Sequence, residues 1–96
     1  MRAYSARHIT RLASYSGAVT NGDNLMELID FDPDFTNPKI FKIQIAVEND
    51  CEVEINGNSK VVISSTYGLT LDYTDLMIDS FVFKADVPNV YVVVGY

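Results

Sequence analysis

The sequence predicts an all-β protein, a compact antiparallel β-sandwich or small jelly roll with an extended N-terminal arm. Three observations predict it. From Lys39 onward apolar and polar residues alternate with a period of two, turn-forming residues recur about every ten residues, and no long helical pattern intervenes. At 96 residues the chain has room for one domain, and a chain of this size buries only roughly 60 to 65% of its unfolded surface.

Residues 1–22, "MRAYSARHITRLASYSGAVTNG", hold Arg2, Arg7, Arg11 and His8 and no acid, whereas residues 23–96 hold four lysines and all thirteen acids. The large aliphatics of this leader are Ile9, Leu12 and Val19, too few for a core of its own. Tyr4, His8, Leu12 and Tyr15 are spaced by four, four and three. That spacing allows a short helix with one semi-apolar stripe, marginal in isolation. The segment is therefore expected to be a basic arm that orders only against another molecule; a frayed terminus or a transit-peptide-like leader has the same composition. An integral strand made from these residues would contradict the arm.

Residues 23–38 are expected to form an acidic, proline-containing connector. Residues 23–29, "DNLMELI", suit a brief helical turn or strand, with Asp23 placed as a cap. In "LIDFDPDFTNPKIF" Asp30, Asp32 and Asp34 alternate as in the opening of a calcium loop. An EF-hand beginning at Asp30 needs Gly at its sixth position and Glu at its twelfth, where Phe35 and Phe41 stand. The motif fails. Pro33 and Pro38 favour extended geometry before them, so the stretch reads as a solvated hinge.

Residues 39–96 form the expected β-sandwich domain. Phe41, Ile43, Ile45 and Val47 share one strand face; Cys51, Val53 and Ile55 share another opposite Glu52 and Glu54, which makes Cys51 a small packing residue. Asn56-Gly57 is a type I′ hairpin signal, after which "KVVIS" runs back, so the three segments are expected to form one meander. Leu69, Leu71 and Tyr73 mark a further strand, and Phe81 and Phe83 share a face with Asp79. In "VYVVVGY" Val90, Val92 and Val94 line one side while Tyr91 and Val93 line the other. This strand needs cover on both sides, either as the central strand or beneath the arm or another subunit.

Composition narrows the function classes. A formal charge of −6 disfavours nucleic acid as a partner, since duplex binding needs a basic surface. One cysteine gives no internal disulfide and points to a reducing compartment. No apolar run suits a transmembrane helix or a signal peptide, which predicts a soluble, unexported product with no membrane partner. His8 is the one histidine, and no Gly-x-Ser-x-Gly, His-x-His, Cys-x-x-Cys or phosphate-cradling glycine loop occurs. The chain is therefore expected to be no enzyme and to carry no catalytic residues, metal or cofactor.

The stretch "CEVEINGNSKVVISSTYGLTLDYTDLMIDSFVFKADVPNVYVVVGY", with its "INGN" hairpin, "GL-LDY-D--I-SF-F" segment and terminal aromatic strand, resembles the small β-rich virion proteins of tailed bacteriophages. The resemblance covers residues 40–96. It implies a structural role in the particle, as head decoration, head-fibre base, or tail or baseplate component, hence a protein made in the host cytoplasm and located in the virion. The partners would be other copies of the chain or other virion proteins. The binding residues would then be Arg2, Tyr4, Arg7, Ile9, Arg11, Leu12 and Tyr15 of the arm, Tyr91 and Tyr96, and Asp30, Asp32 and Asp34, which a neighbour's arginines could pair with. An exposed ion pair contributes only about 0.2 to 1 kcal/mol, so apolar burial would supply most of the hold. A second expectation is a module that binds carbohydrate or peptide on Tyr67, Tyr73, Tyr91 or Tyr96.

Overall fold

A computed structural model of the chain describes residues 11–72 and 77–96. The strands are β1 (Leu12–Val19), β2 (Lys42–Val47), β3 (Cys51–Ile55), β4 (Ser59–Ile63), β5 (Leu69–Leu71), β6 (Phe81–Phe83) and β7 (Val87–Gly95), with one short helix, α1 (Leu25–Leu28). They make two antiparallel sheets, ordered β1-β7-β2-β5 and β4-β3-β6. The all-β sandwich expected from the periodicity is the fold observed.

The core lies between the sheets. Ile43, Ile45 and Val47 of β2 and Val90, Val92 and Val94 of β7 face it from one sheet, and Cys51, Val53, Ile55, Phe81 and Phe83 from the other. The Phe81 and Phe83 rings meet edge-on at 5.5 Å. The period-two reading thus assigned the buried faces of β2 and β3 correctly from Ile43 onward, Cys51 included, whereas Phe41 lies outside β2 and Asp79, read as sharing the face of Phe81 and Phe83, is exposed and pairs with Lys39.

It did not assign the pairing. β3 and β4 form the Asn56-Gly57 hairpin, in which both turn residues have positive φ and the Asn58 N–H closes back on the Ile55 carbonyl. β2, however, pairs with β5 and β7 and not with β3, so residues 48–50 cross from one sheet to the other. The expected single meander is corrected. Alternation fixes which side of a strand is apolar and leaves open which neighbour it bonds.

The larger correction concerns residues 11–22. Leu12–Val19 is not an arm awaiting a partner but an integral strand, paired with β7 from Leu12↔Gly95 to Val19↔Val87. Leu12 and Tyr15 therefore share no helical stripe; Tyr4 and His8 of that expected stripe lie outside the described residues. β7 had one free edge to fill, and β1 fills it, so the last strand is internal to its sheet. Pro88 explains the irregularity between Gly17 and Val19: it has no N–H for the ladder, and Pro88 and Asn89 bulge outward together opposite Ala18.

Residues 23–38 are not a solvated hinge either. Asn24, rather than Asp23, caps α1 by accepting from the Met26 N–H, and its side chain also accepts from the Phe81 N–H. Leu25 and Ile29 enter the core, and Phe31 and Phe35 close edge-on around Tyr96, with centroids at 4.7 and 5.0 Å. Apolar residues between the acids thus dock the segment on the sandwich.

Candidate functional site

The two outer sheet faces differ in charge. On the three-stranded sheet Glu52, Glu54 and Lys60 point outward, and Lys84 reaches Glu54 at 3.6 Å. On the four-stranded sheet the register aligns Leu12, Ser14 and Ser16 of β1 with Tyr91, Val93 and Gly95 of β7, Lys42, Gln44 and Ala46 of β2, and Thr70 of β5. Among the described residues Lys42 is the one charged residue within the strands on that face, and Glu48, one position past β2, accepts from Asn89 Nδ2 at 2.7 Å. A surface with little charge results, with Tyr91 standing from it half exposed.

The turn between β4 and β5 overhangs this face and is held by backbone and side-chain bonds. The Ser64 hydroxyl accepts from the Thr66 and Tyr67 N–H groups, the Ser64 carbonyl accepts from the Gly68 N–H at 2.7 Å, and Asp50 Oδ1 accepts from the Ser65 N–H at 2.6 Å. Those Ser65 contacts, backbone first and then hydroxyl, hold the Asp50 carboxyl below its ordinary pKa. Burial, followed by the Asp50 charge, pushes the neighbouring Cys51 thiol up, the opposite of a reactive thiolate. Gly68 has φ +68°, and a Cβ there would lie 2.5 Å from the Ile45 carbonyl oxygen. The rigid turn presents Tyr67 at 89% exposure.

Between Tyr67 and Tyr91 lies a hollow of about 380 Å³ walled by Gln44, Ser65, Thr66, Thr70 and Val93. A second shallow depression, lined by Ser16, Gly17, Ala46 and Asn89, lies beside Tyr91 on the β1 side. Among the described residues no charged side chain lines either. The walls offer amide, hydroxyl and aromatic contacts suited to a neutral polar ligand or a flat protein surface.

The residues singled out from sequence scatter over three places. Tyr91 and Leu12 stand on the neutral face. Tyr15 turns inward beside Val92, and its hydroxyl donates to the Ala18 carbonyl at 2.7 Å. Arg11, Asp32 and Tyr96 meet in a clasp: Arg11 Nε donates to Asp32 Oδ2 at 2.9 Å, the Asp32 N–H donates to the Tyr96 hydroxyl, and the Arg11 guanidinium lies 5.8 Å from the Phe35 ring centre. Asp32 Oδ1 accepts from the Asp34 N–H, and this bond, then Arg11, holds the Asp32 carboxyl low. Asp30 and Asp34 are exposed beside the clasp. Arg2, Tyr4, Arg7, Ile9 and Tyr73 lie outside the described residues.

Two expectations are thereby corrected. Tyr96 is a buried packing residue and no platform for a ligand. Arg11 and Asp32, expected to pair across chains, pair within one, because β1 brings Arg11 to the Tyr96 end of β7, where residues 31–35 fold over. Among the described residues no cluster of His, Cys, Asp and Glu could hold a metal ion, and no helix is long and apolar enough to cross a membrane. Sequence reading missed the Ser64–Gly68 overhang, although "SSTYG" carried a turn signal in its serines and glycine.

Comparison with known family models, curated proteins and solved structures finds no match. Function must be argued from the surface itself.

Proposed function

We propose that this chain is a non-enzymatic assembly protein that docks on neighbouring subunits through the outer face of the β1-β7-β2-β5 sheet. The observation that supports this reading is the contrast in charge: in a protein with seven basic and thirteen acidic residues, one broad sheet face is almost free of both among the described residues. Depletion of charge around an exposed aromatic is the composition of an interface centre. Following the resemblance of residues 40–96, the assembly is a phage virion, with the chain as a decoration, fibre-base or adaptor component. The docking element is the sheet face and not a tether formed by residues 11–22, which belong to the domain.

The test is the native mass of the full chain over a range of concentrations, beside Tyr91→Lys. Assembly beyond a dimer is expected for the parent and is lost in Tyr91→Lys, with circular dichroism unchanged. A parent that never exceeds a dimer would remove the reading.

The hollow between Tyr67 and Tyr91 favours a second reading, a module that binds a neutral saccharide or peptide. Saturable binding of an uncharged oligosaccharide, abolished by Tyr67→Ala in a protein that does not assemble, would favour it over the first.

A further inference from the structure

The four sheet edges are protected unequally. β6 is covered by residues 22–24, through the Gly22 and Phe83 N–H groups and the Asn24↔Val82 bridge. β5 is three residues long, and β4 carries Lys60. β1 is eight residues long, "LASYSGAV", with no charge and no proline. Among the described residues its stretch Leu12–Ser16 carries none of the usual devices against edge-to-edge pairing, and the irregularity of the ladder comes only after Gly17.

The ladder shows which of its backbone groups face outward. Arg11 and Tyr96 exchange both their N–H and C=O bonds, so Arg11, Ala13, Tyr15 and Gly17 bond inward to β7. The N–H and C=O groups of Leu12, Ser14 and Ser16 therefore point away, and among the described residues no hydrogen-bond partner meets them. At the far end the edge is closed, because the Ala18 carbonyl is taken by the Tyr15 hydroxyl.

We infer that this edge pairs with β1 of a second copy, antiparallel about a two-fold axis at Ser14. The inference rests on the assembly reading and names its first contact. In that register Ser14 faces Ser14 of the other copy and Leu12 faces its Ser16, giving three hydrogen-bonded pairs and up to six new backbone bonds. Between them Ala13 falls opposite Tyr15, and beyond them Arg11 falls opposite Gly17. Each large side chain meets a small one, both on the outer face and on the inner. Shifting the register by two residues toward Ser16 would set Tyr15 against Tyr15. A neutral strand also suits a two-fold contact, where any charge on the axis would face its own like. Two sandwiches joined this way share one continuous sheet of eight strands, which doubles the neutral face.

The experiment is sedimentation equilibrium of the full chain with four variants. The parent is expected to pass beyond twice the 10.7 kDa chain mass, and Tyr91→Lys, which keeps the edge but not the face, to stop at it. Ser14→Pro removes an outward N–H without touching the β7 ladder, and it is expected to remain at the chain mass. Ser14→Lys and Ser14→Glu are each expected to be monomeric, and an equimolar mixture of the two to recover the dimer, since residue 14 then meets the opposite charge. This recovery keeps the test decisive should Ser14→Pro fail to fold. A complex that Tyr91→Lys dissolves while the Ser14 variants leave it intact would overturn the edge pairing and leave docking by the face standing. A parent that is monomeric at every concentration would overturn both.

Discussion

Arg11 and Asp32 form a 2.9 Å ion pair that fastens the start of β1 to the segment between α1 and β2. Among the described residues one charge of the basic leader thus meets one of the acidic segment inside a single protomer. The same segment grips Tyr96 between Phe31 and Phe35, so three stretches distant in sequence are locked at one end of the sandwich.

Tyr96 should carry most of that lock. It is buried, and truncation in Tyr96→Ala is expected to cost about 3 to 5 kcal/mol, as for other large aromatic deletions. Tyr96→Phe keeps the ring and loses only the bond from the Asp32 N–H, costing about 1 kcal/mol. Urea unfolding of both variants checks the ratio; equal losses would show that the hydroxyl, and not the packing, matters.

Acid should loosen the clasp and the Ser64–Gly68 turn together. The Asp32 and Asp50 carboxyls both sit below their ordinary value of 3.8 in the folded chain. The unfolded chain then binds more protons than the folded one near that pH, so their stabilisation is complete above 3.8 and is lost as the pH falls through the lowered values. The parent should lose thermal stability more steeply below about pH 4 than Asp32→Asn or Asp50→Asn. Parallel acid profiles would contradict the assignment.

Gly68→Ala should distort the overhang above the neutral face. The new Cβ has nowhere to go beside the Ile45 carbonyl, and φ +68° already disfavours a side chain. A loss of about 1 to 3 kcal/mol is expected, with Tyr67 displaced. Thermal unfolding and the amide chemical shifts of residues 64–68 report the two effects separately.

Removing residues 1–22 should not release an intact domain. It deletes β1 and Val19 from the core, and it strips the inward ladder from Val90, Val92 and Val94. The truncated chain is expected to aggregate or to lose its cooperative transition. A soluble product with the parent's melting temperature would mean that β1 contributes little to the fold.

These outcomes trace what the residues reveal and what they hide. The faces of β2 and β3 were legible because apolar residues, most of them β-branched, alternate there with mostly polar ones, and β7 was legible as a valine-rich strand apolar on both sides. β1 was not legible. Its inward residues Ala13, Tyr15 and Gly17 are only partly covered and mostly small, so no apolar alternation marks it, and Tyr15 with Leu12 mimics a helical stripe. Tertiary pairing with β7, not local preference, makes it a strand. Of the candidate site, Tyr91 could be placed from its alternation with the valines, whereas the neutral face became visible only when the register brought four separate stretches side by side.

The position of β7 also sets an order of events. The β3–β4 hairpin closes over a three-residue loop and can form within microseconds, while β7 must find both β1 and β2 across long intervening chain. Until it does, the valine strand has two open sides and the four-stranded sheet does not exist. Refolding is therefore expected to be slow for so small a protein, with nucleation on the hairpin and completion when the two halves of the larger sheet are zipped together.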